Sequence, residues 1–241
     1  MTESSGVPFA VKLPHLYCFA GSGATGKTSV VEALLKSKRA GSGTLYHPSI
    51  VREYYASRGV AHEASFHLMG IRERAEFQVG LLRHYMIELR KCLVSNAGRE
   101  SVRRVVCDRS VFDHVAYMLY GSGELVTQAM WDDEIVPLID DFRRLCPVIF
   151  HLPYPTGWPE ESAVDGFRHR VFVKDFIVDS LIRRLSRDGG GGGGAEHYEL
   201  PTWYSITERT SMVCEHIEDE SNRAGVAVLL GTSSAGVCDN D

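Results

Sequence analysis

The chain has 241 residues, of which 44% are apolar and 24% are charged, and its formal net charge is −5. These values are typical of one globular α/β domain with a substantial core, and the negative charge argues against nucleic acid as a partner. Residues 1–7 are polar, and no apolar run approaches the roughly 18 residues that a membrane span needs, so we expect a cytoplasmic protein with no membrane partner.

The first predicted strand leads into a glycine-rich loop. Residues 15–20 are mostly apolar and predict a buried strand, and residues 29–36 have the pattern of a helix. The segment between them matches G-x-x-x-x-G-K-[ST], a loop whose backbone N–H groups surround a polyphosphate. Because a strand before and a helix after the loop are what the motif requires, the sequence predicts a nucleoside triphosphate site.

Each residue type in this loop has a physical role. Glycine allows a phosphate to approach the backbone closely, and the positive N-terminal end of the following helix points at the anion. Lys27 supplies a mobile charge for the β and γ phosphates, and the Thr28 hydroxyl suits Mg²⁺, which prefers oxygen ligands. We therefore predict ATP and Mg²⁺ as cofactors. The predicted cofactor contacts are Gly21, Ser22, Gly23, Ala24, Thr25, Gly26, Lys27 and Thr28.

Strands and helices alternate along the rest of the chain. Further strands are predicted at residues 44–47, 102–108, 147–152 and 226–230, and further helices at residues 71–93, 111–119, 125–145, 170–187 and 205–222. This alternation predicts a three-layer α/β sandwich with a five-stranded parallel sheet, the P-loop NTPase fold. Residues 231–233, after the last predicted strand, lie where such folds often hold adenine.

The domain boundaries follow from composition. We assign residues 1–14 to an N-terminal arm, residues 15–232 to one P-loop domain and residues 233–241 to a flexible tail. Within the domain, the proline-rich stretch after the fourth strand predicts a helical lid at about residues 153–188, and six consecutive glycines form a loop at residues 189–194. The apolar helix faces fit either a homodimer seam or the core, so the oligomeric state stays open.

Asp108 ends the buried strand predicted at residues 102–108. Open α/β sheets bind their ligands at the carboxyl ends of their strands. P-loop enzymes place a carboxylate there that holds Mg²⁺ directly or through water. We therefore predict that Asp108 and Thr28 are the metal-linked residues.

The residues around Asp108 resemble a known group of kinases. Asp108-Arg109-Ser110 is similar to the D/E-R-S element of deoxynucleoside kinases and to the D-R element of thymidylate kinases. Residues 108–117 resemble the D-R-x-x-x-D-x-x-A-Y stretch of small kinase-like P-loop AAA domains, which include the ribosylnicotinamide kinase part of the bacterial NAD-metabolism regulator. Three further islands occur in the order found in that family: Arg52-Glu53-Tyr54, Asp165-Gly166-Phe167-Arg168 and Glu208-Arg209.

The resemblance implies a nucleoside/nucleotide kinase-like fold and an ATP-dependent phosphotransferase. Its acceptor would be a small molecule of the nucleoside, nucleotide or nicotinamide riboside type. Glu53 would orient or deprotonate the acceptor hydroxyl, by likeness to the acid that nucleoside kinases place there. The catalytic residues predicted on this basis are Lys27, Asp108, Arg109, Glu53 and Arg168, and the substrate-binding residues are Glu53, Gln78 and Asp113.

Other interpretations stay open for several of these residues. Glu53 can instead pair with Arg52 or Arg74, and Asp113 can be an acid of the first helical turn that the helix dipole favours. Arg168 and Gln78 can be solvated helix residues. At the level of function, the alternative is an ATPase or GTPase switch that acts through a protein partner, although the chain has no N-K-x-D guanine-reading tetrapeptide.

Overall fold

The computed structural model describes residues 12–23, 25–40, 42–60, 69–145, 148–154, 166–187, 196–201 and 203–221, without the side chains of residues 71, 166–173, 220 and 221. This part of the chain alternates strands with helices. Its strands are β1 (His15–Ala20), β2 (Thr44–His47), β3 (Arg104–Asp108), β4 (Val148–His151) and β5 (Glu196–Glu199). Its main helices are α1 (Lys27–Lys36), α2 (Val51–Ser57), α3 (Ile71–Ser95), α4 (Val111–Ser122), α5 (Val136–Leu145), α6 (Gly166–Arg187) and α7 (Ile206–Ser221).

The five strands form one parallel sheet in the order β2-β3-β1-β4-β5. In the central register, Cys18 of β1 lies between Cys107 of β3 and Ile149 of β4. Strands β2 and β3 therefore lie on one side of β1, and strands β4 and β5 lie on the other. The chain crosses from one side of β1 to the other between β3 and β4. In open α/β sheets, this switch point is the crevice in which ligands bind.

Two apolar layers cover the two faces of the sheet. Along β1, Leu16, Cys18 and Ala20 belong to one buried cluster, and Tyr17 and Phe19 belong to the other. Successive side chains of a strand point to opposite faces, which explains the alternation. The first cluster joins the sheet to helices α3, α4 and α6, and the second joins it to α1 and α7.

The predicted fold class is confirmed, and so are the bounds predicted for β1 and β2. The sequence analysis missed β5, whose residues Glu196–Glu199 pair with β4 at the edge of the sheet. This edge strand is polar and partly exposed, so a search for apolar runs does not detect it. The strand predicted at residues 226–230 lies outside the described residues, as do residues 1–11, 189–194 and 231–241 of the predicted arm, glycine loop and tail.

The C-terminal half of α6 packs in the core, although it belongs to the predicted lid. Val178 and Ile182 are completely buried in the cluster that also contains α4 residues. The neighbouring Asp179 is also buried and accepts a hydrogen bond of 3.0 Å from Nε2 of the buried His151. Glu199 of β5 pairs with Arg183 at 3.0 Å and with Arg187 at 2.8 Å. This half of the helix is therefore held to the sheet by apolar and polar contacts.

Within the described residues, no helix combines the length and the apolar character needed to cross a bilayer.

Candidate active site

The glycine-rich loop connects β1 to α1 at the carboxyl edge of the sheet. Gly21 has φ of 152°, and a Cβ added to it would lie 2.5 Å from the Leu152 carbonyl oxygen. Gly26 has φ of 88° and directly precedes α1. Both positions favour glycine, because L-residues with a side chain rarely adopt such φ values. The structure therefore explains why the motif has glycine at these two positions.

Lys27 folds back over this loop. Its Nζ donates hydrogen bonds to the carbonyl oxygens of Gly21 at 2.7 Å and Ser22 at 2.5 Å. Burial lowers the pKa of Lys27 below its usual range, while the Asp113 carboxylate opposes this effect and the Arg109 guanidinium adds to it. The buried Ser22 hydroxyl has no hydrogen-bond partner among the described residues. The loop therefore offers two hydrogen-bond donors to an anionic ligand. Such a ligand can replace the carbonyl oxygens that Lys27 contacts, and it can accept a hydrogen bond from the Ser22 hydroxyl.

Thr28 and Asp108 meet at the start of α1. The Thr28 hydroxyl donates a 2.6 Å hydrogen bond to Oδ2 of Asp108, which is largely buried at the end of β3. A hydroxyl beside a carboxylate is an oxygen donor set that suits Mg²⁺. No group of three His, Cys, Asp or Glu side chains in the described ranges could hold a metal ion by itself. A metal ion here would complete its coordination with waters and ligand oxygens, as Mg²⁺ usually does.

Asp113 joins the loop to α4. Its Oδ1 accepts a hydrogen bond from the Gly21 backbone N–H at 3.1 Å. Its Oδ2 accepts hydrogen bonds from the N–H and the hydroxyl of Ser110 at 2.8 and 2.6 Å, and the Ser110 hydroxyl in turn accepts one from the Asp113 N–H. This reciprocal pair is a capping box, and its S-x-x-D spacing is visible in the sequence. Asp113 is completely buried, so this geometry favours a positioning role over the predicted contact with a substrate.

Arg109 has an unusual backbone conformation at the edge of the same site. Its φ of 133° is the only positive φ of a non-glycine residue in the described part of the chain. The Tyr85 hydroxyl donates a 2.9 Å hydrogen bond to the Arg109 carbonyl, and the guanidinium lies 5.4 Å from the centre of the Tyr117 ring. Such strain persists only where the surroundings fix the backbone, and it concentrates at functional sites.

The residues predicted for the acceptor side lie on separate helices. Gln78 is buried on α3, and its Nε2 donates a long hydrogen bond of 3.5 Å to the Tyr55 hydroxyl. Glu53 is exposed on α2, and it forms no ion pair with Arg52 or Arg74. The structure does not join Glu53 to the glycine-rich loop by a direct contact. Arg168 belongs to the first turn of α6, and its side chain, like residue Ala24, lies outside the described part of the chain.

Two further residues reach the loop from distant parts of the chain, and the sequence analysis assigned no role to either. Asp175 of α6 lies 3.4 Å from the position that a Cβ on Gly23 would occupy. Arg209 of α7 donates a 3.1 Å hydrogen bond from Nη1 to the Thr25 carbonyl. Arg209 was part of the Glu208-Arg209 island, which could have indicated it, whereas no pattern in the sequence marks Asp175.

The segment after β5 lies beside the same loop. Ile206 at the start of α7 has its Cδ1 3.6 Å from the position of a Cβ on Gly26. Just before it, the Trp203 and Tyr204 rings are in contact, with centroids 6.1 Å apart, and Trp203 is 79% exposed. This exposed aromatic pair follows β5, the last strand in the described part of the chain, whereas residues 231–233, which were expected near adenine, lie outside that part.

A family model described as "AAA domain" matches residues 16–184, which include the glycine-rich loop, Asp108, Arg109 and most of α6. The chain belongs to this AAA domain family. The predicted family is thereby confirmed at this level, and the match by itself does not distinguish the ribosylnicotinamide kinase branch.

The AAA domain is similar in structure to two solved kinases. One is thymidylate kinase from Ehrlichia chaffeensis, at 12% identity and a TM-score of 0.53, with 85% of this chain and 98% of that chain covered. The other is deoxyadenosine kinase from M. mycoides with the products dCMP and dCDP, at 10% identity and a TM-score of 0.51, with 85% and 99% covered. At these identities the likeness establishes the fold. A comparison with curated proteins by sequence finds no match.

Proposed function

We propose that this AAA domain protein is an ATP-dependent kinase that transfers the γ-phosphate to a small acceptor of the nucleoside, nucleotide or nicotinamide riboside type. The observation that carries the proposal is the 2.6 Å contact between Thr28 and Asp108 beside the buried Lys27. A P-loop lysine, a hydroxyl and a strand-end carboxylate are the recurring parts of phosphoryl-transfer sites. The fold shared with thymidylate and deoxyadenosine kinases supports the kinase class.

Oxygens of the triphosphate would replace the two backbone carbonyl oxygens as hydrogen-bond acceptors of Lys27. Phosphate oxygens are stronger acceptors than neutral carbonyls because they carry charge. Their negative charge would also favour the protonated form of Lys27, whose pKa is lowered by burial in the free protein. Thr28 and Asp108 would hold Mg²⁺, which neutralises part of the phosphate charge when it is bound.

The remaining predicted residues would act on the transferring group and the acceptor. In the reaction, the acceptor oxygen forms a bond to the γ-phosphorus as the bond to the ADP oxygen breaks. With a hydroxyl acceptor, the proton passes to Glu53. Arg109 and, on lid closure, Arg168 would stabilise the charge on the transferring phosphoryl group. Gln78 would hold the acceptor through its amide.

The nucleobase of ATP would pack against the aromatic pair Trp203–Tyr204. Both residues closely precede Ile206, whose Cδ1 lies 3.6 Å from the position that a Cβ on Gly26 would occupy. A Trp side chain that is 79% exposed presents a large flat apolar surface, and stacking on an aromatic face suits any base. Residues 231–233, which we expected near adenine, lie outside the described residues.

The proposal is tested by thermal unfolding of the wild-type protein with Mg²⁺ and a non-hydrolysable ATP analogue, alone and with each acceptor of the three types. A ligand that binds only the folded state raises the melting temperature. We expect a rise with the analogue and a further rise with one acceptor type. K27M and D108N should lose the first rise, and K36M, a change at the exposed end of α1, should keep it.

The outcomes separate the two functions considered from the sequence. If no nucleotide stabilises the wild-type protein, the proposed function is wrong. If the analogue stabilises the protein and no acceptor adds to its effect, the result favours a nucleotide switch that acts through a protein partner.

A further inference from the structure

Arg209 of α7 lies between the P-loop and the segment that follows β5. The residue is 6% exposed. Its Nη1 donates a 3.1 Å hydrogen bond to the carbonyl of Thr25, and its Nε donates a 2.9 Å hydrogen bond to the carbonyl of Pro201. The guanidinium presents donors in a rigid planar fork, so one side chain can hold two carbonyls in a fixed relation. Burying a charge costs free energy, and these hydrogen bonds offset part of that cost.

The contact with Thr25 fixes a peptide unit of the P-loop. In a trans peptide the C=O and the following N–H point in opposite directions, and the described residues contain no cis peptide bond. When Arg209 holds the Thr25 carbonyl on its own side of the loop, the Gly26 N–H must face the other side. Gly26 has φ of 88° and no side chain, so this peptide could otherwise rotate at little cost.

We propose that Arg209 is a positioning residue for triphosphate binding: it holds the Gly26 N–H towards the phosphate site and couples the segment after β5 to the P-loop. The inference rests on the proposed function, because it requires a polyphosphate in the loop. An N–H group that already points at the phosphate site needs no reorientation when phosphate binds. The two hydrogen bonds of Arg209 therefore raise the affinity for the triphosphate.

A purely structural role for Arg209 makes a different prediction, because α7 has other attachments. Val213 and Ile217 are buried in the core, and Glu218 near the end of the helix pairs with Arg39 through hydrogen bonds of 2.8 and 2.6 Å. Arg39 is therefore a matched control: it is an arginine that ties α7 to the neighbourhood of α1 and makes no contact with the P-loop in the described structure.

The test is calorimetric titration of the wild type, R209M, R209K and R39M with Mg·ATP and with Mg·tripolyphosphate, which lacks the base. We expect R209M to bind both ligands about 10- to 100-fold more weakly, the range that loss of a charge-assisted hydrogen bond predicts. R209K should lie between R209M and the wild type, because an ammonium cannot hold both carbonyls as the fork does. R39M should bind both ligands within about 2-fold of the wild type. Added methylguanidinium should restore part of the R209M affinity.

The possible results decide the inference. Wild-type affinity of R209M for Mg·tripolyphosphate would overturn it, and if R209M does not fold, wild-type affinity of R209K would do the same. A loss in R209M that R39M shares equally would overturn it as well, since it would reflect general loosening of α7. If the wild-type protein binds neither ligand, the proposed function itself fails and the role of Arg209 falls with it.

Discussion

Asp113 shows how a single buried side chain can organise a binding loop. Its two carboxylate oxygens accept hydrogen bonds from Gly21 and from both donors of Ser110. These contacts connect the first glycine of the P-loop to the N-terminus of α4. These hydrogen bonds therefore fix the capped N-terminus of α4 relative to the loop.

Replacement of Asp113 by asparagine should destabilise the protein and weaken its binding of ATP. The amide keeps one acceptor oxygen and places an NH2 group where the other carboxylate oxygen accepted, so at least one buried donor loses its partner, at a cost of about 1–3 kcal/mol. Glu208 offers a matched control, because it forms the same kind of capping box with Ser205 at an exposed position. Urea unfolding and ATP titration of D113N and E208Q check the prediction. Equal effects of the two substitutions on ATP affinity would contradict it.

We expect His114 to make the free energy of unfolding depend on pH. This buried residue of α4 has its ring centroid 4.8 Å from that of Tyr85, and burial lowers its pKa to about 3, with repulsion from Arg109 as a smaller cause. Between that value and the usual pKa near 6.5, the unfolded chain binds a proton and the folded protein does not. The free energy of unfolding therefore falls as the pH falls through this interval.

The variant H114L should lose this part of the pH dependence. At pH 5, about 1.5 units below the usual pKa of histidine, the contribution of His114 reaches about 2 kcal/mol relative to neutral pH. Denaturant unfolding of both proteins between pH 7 and 5 measures it. The curve for H114L should be flatter, and parallel curves for the two proteins would show that His114 does not carry the effect.

The role of a residue could be predicted from the sequence when its partners lie close to it along the chain. Lys27 and Thr28 belong to one short motif, and Asp108 is marked by the apolar strand before it. The contact of Asp113 with Gly21 spans 92 residues, and that of Arg209 with Thr25 spans 184. Such contacts depend on the packing of whole helices, which the spacing of residues does not specify.

At the scale of elements, helix α6 has an inner and an outer face. Ile182 is completely buried, whereas Phe176, less than two turns away, is 50% exposed. The helix was predicted from its spacing of apolar residues, but its assignment to a mobile lid followed from the proline-rich stretch before it. Spacing locates an apolar face and does not identify the surface that covers it. Here, the sheet and α4 cover it.

Substitution of these two residues by alanine should separate the faces of α6. I182A should lower the free energy of unfolding by about 2–5 kcal/mol, because it leaves a cavity in the core. F176A should change it by no more than about 0.5 kcal/mol, as is usual for an exposed position. Denaturant unfolding measures both values. A small effect of I182A would mean that this half of the helix is not part of the core.

Strand β5 is an element that the sequence analysis did not predict. The fourth strand was predicted because it is an apolar run, but Glu196–Glu199 reads as a polar stretch beside the glycine-rich segment. The hydrogen bonds of this strand go to β4, and its side chains are partly exposed, so its sequence carries little hydrophobic pattern. The missed strand matters for the proposed nucleobase contact, because Trp203 and Tyr204 follow this strand.

At the scale of the whole molecule, the sheet order brings distant residues to one edge. The P-loop follows β1, Asp108 ends β3, and Leu152 follows β4, so three neighbouring strands frame the site. Helices α4, α6 and α7 then supply Asp113, Asp175 and Arg209. Alternation of strands and helices was sufficient to predict a five-stranded parallel sheet covered by helices, whereas the order of the strands was not predicted and is given by the structure.

The central claim is most directly tested by following the γ-phosphate of labelled ATP with Mg²⁺ and each acceptor in turn. We predict that the label appears in one small acceptor together with an equal amount of ADP, that the transfer disappears in K27M, and that it persists in K36M. Label found only in inorganic phosphate, at a rate that no acceptor changes, would contradict the assignment of a kinase.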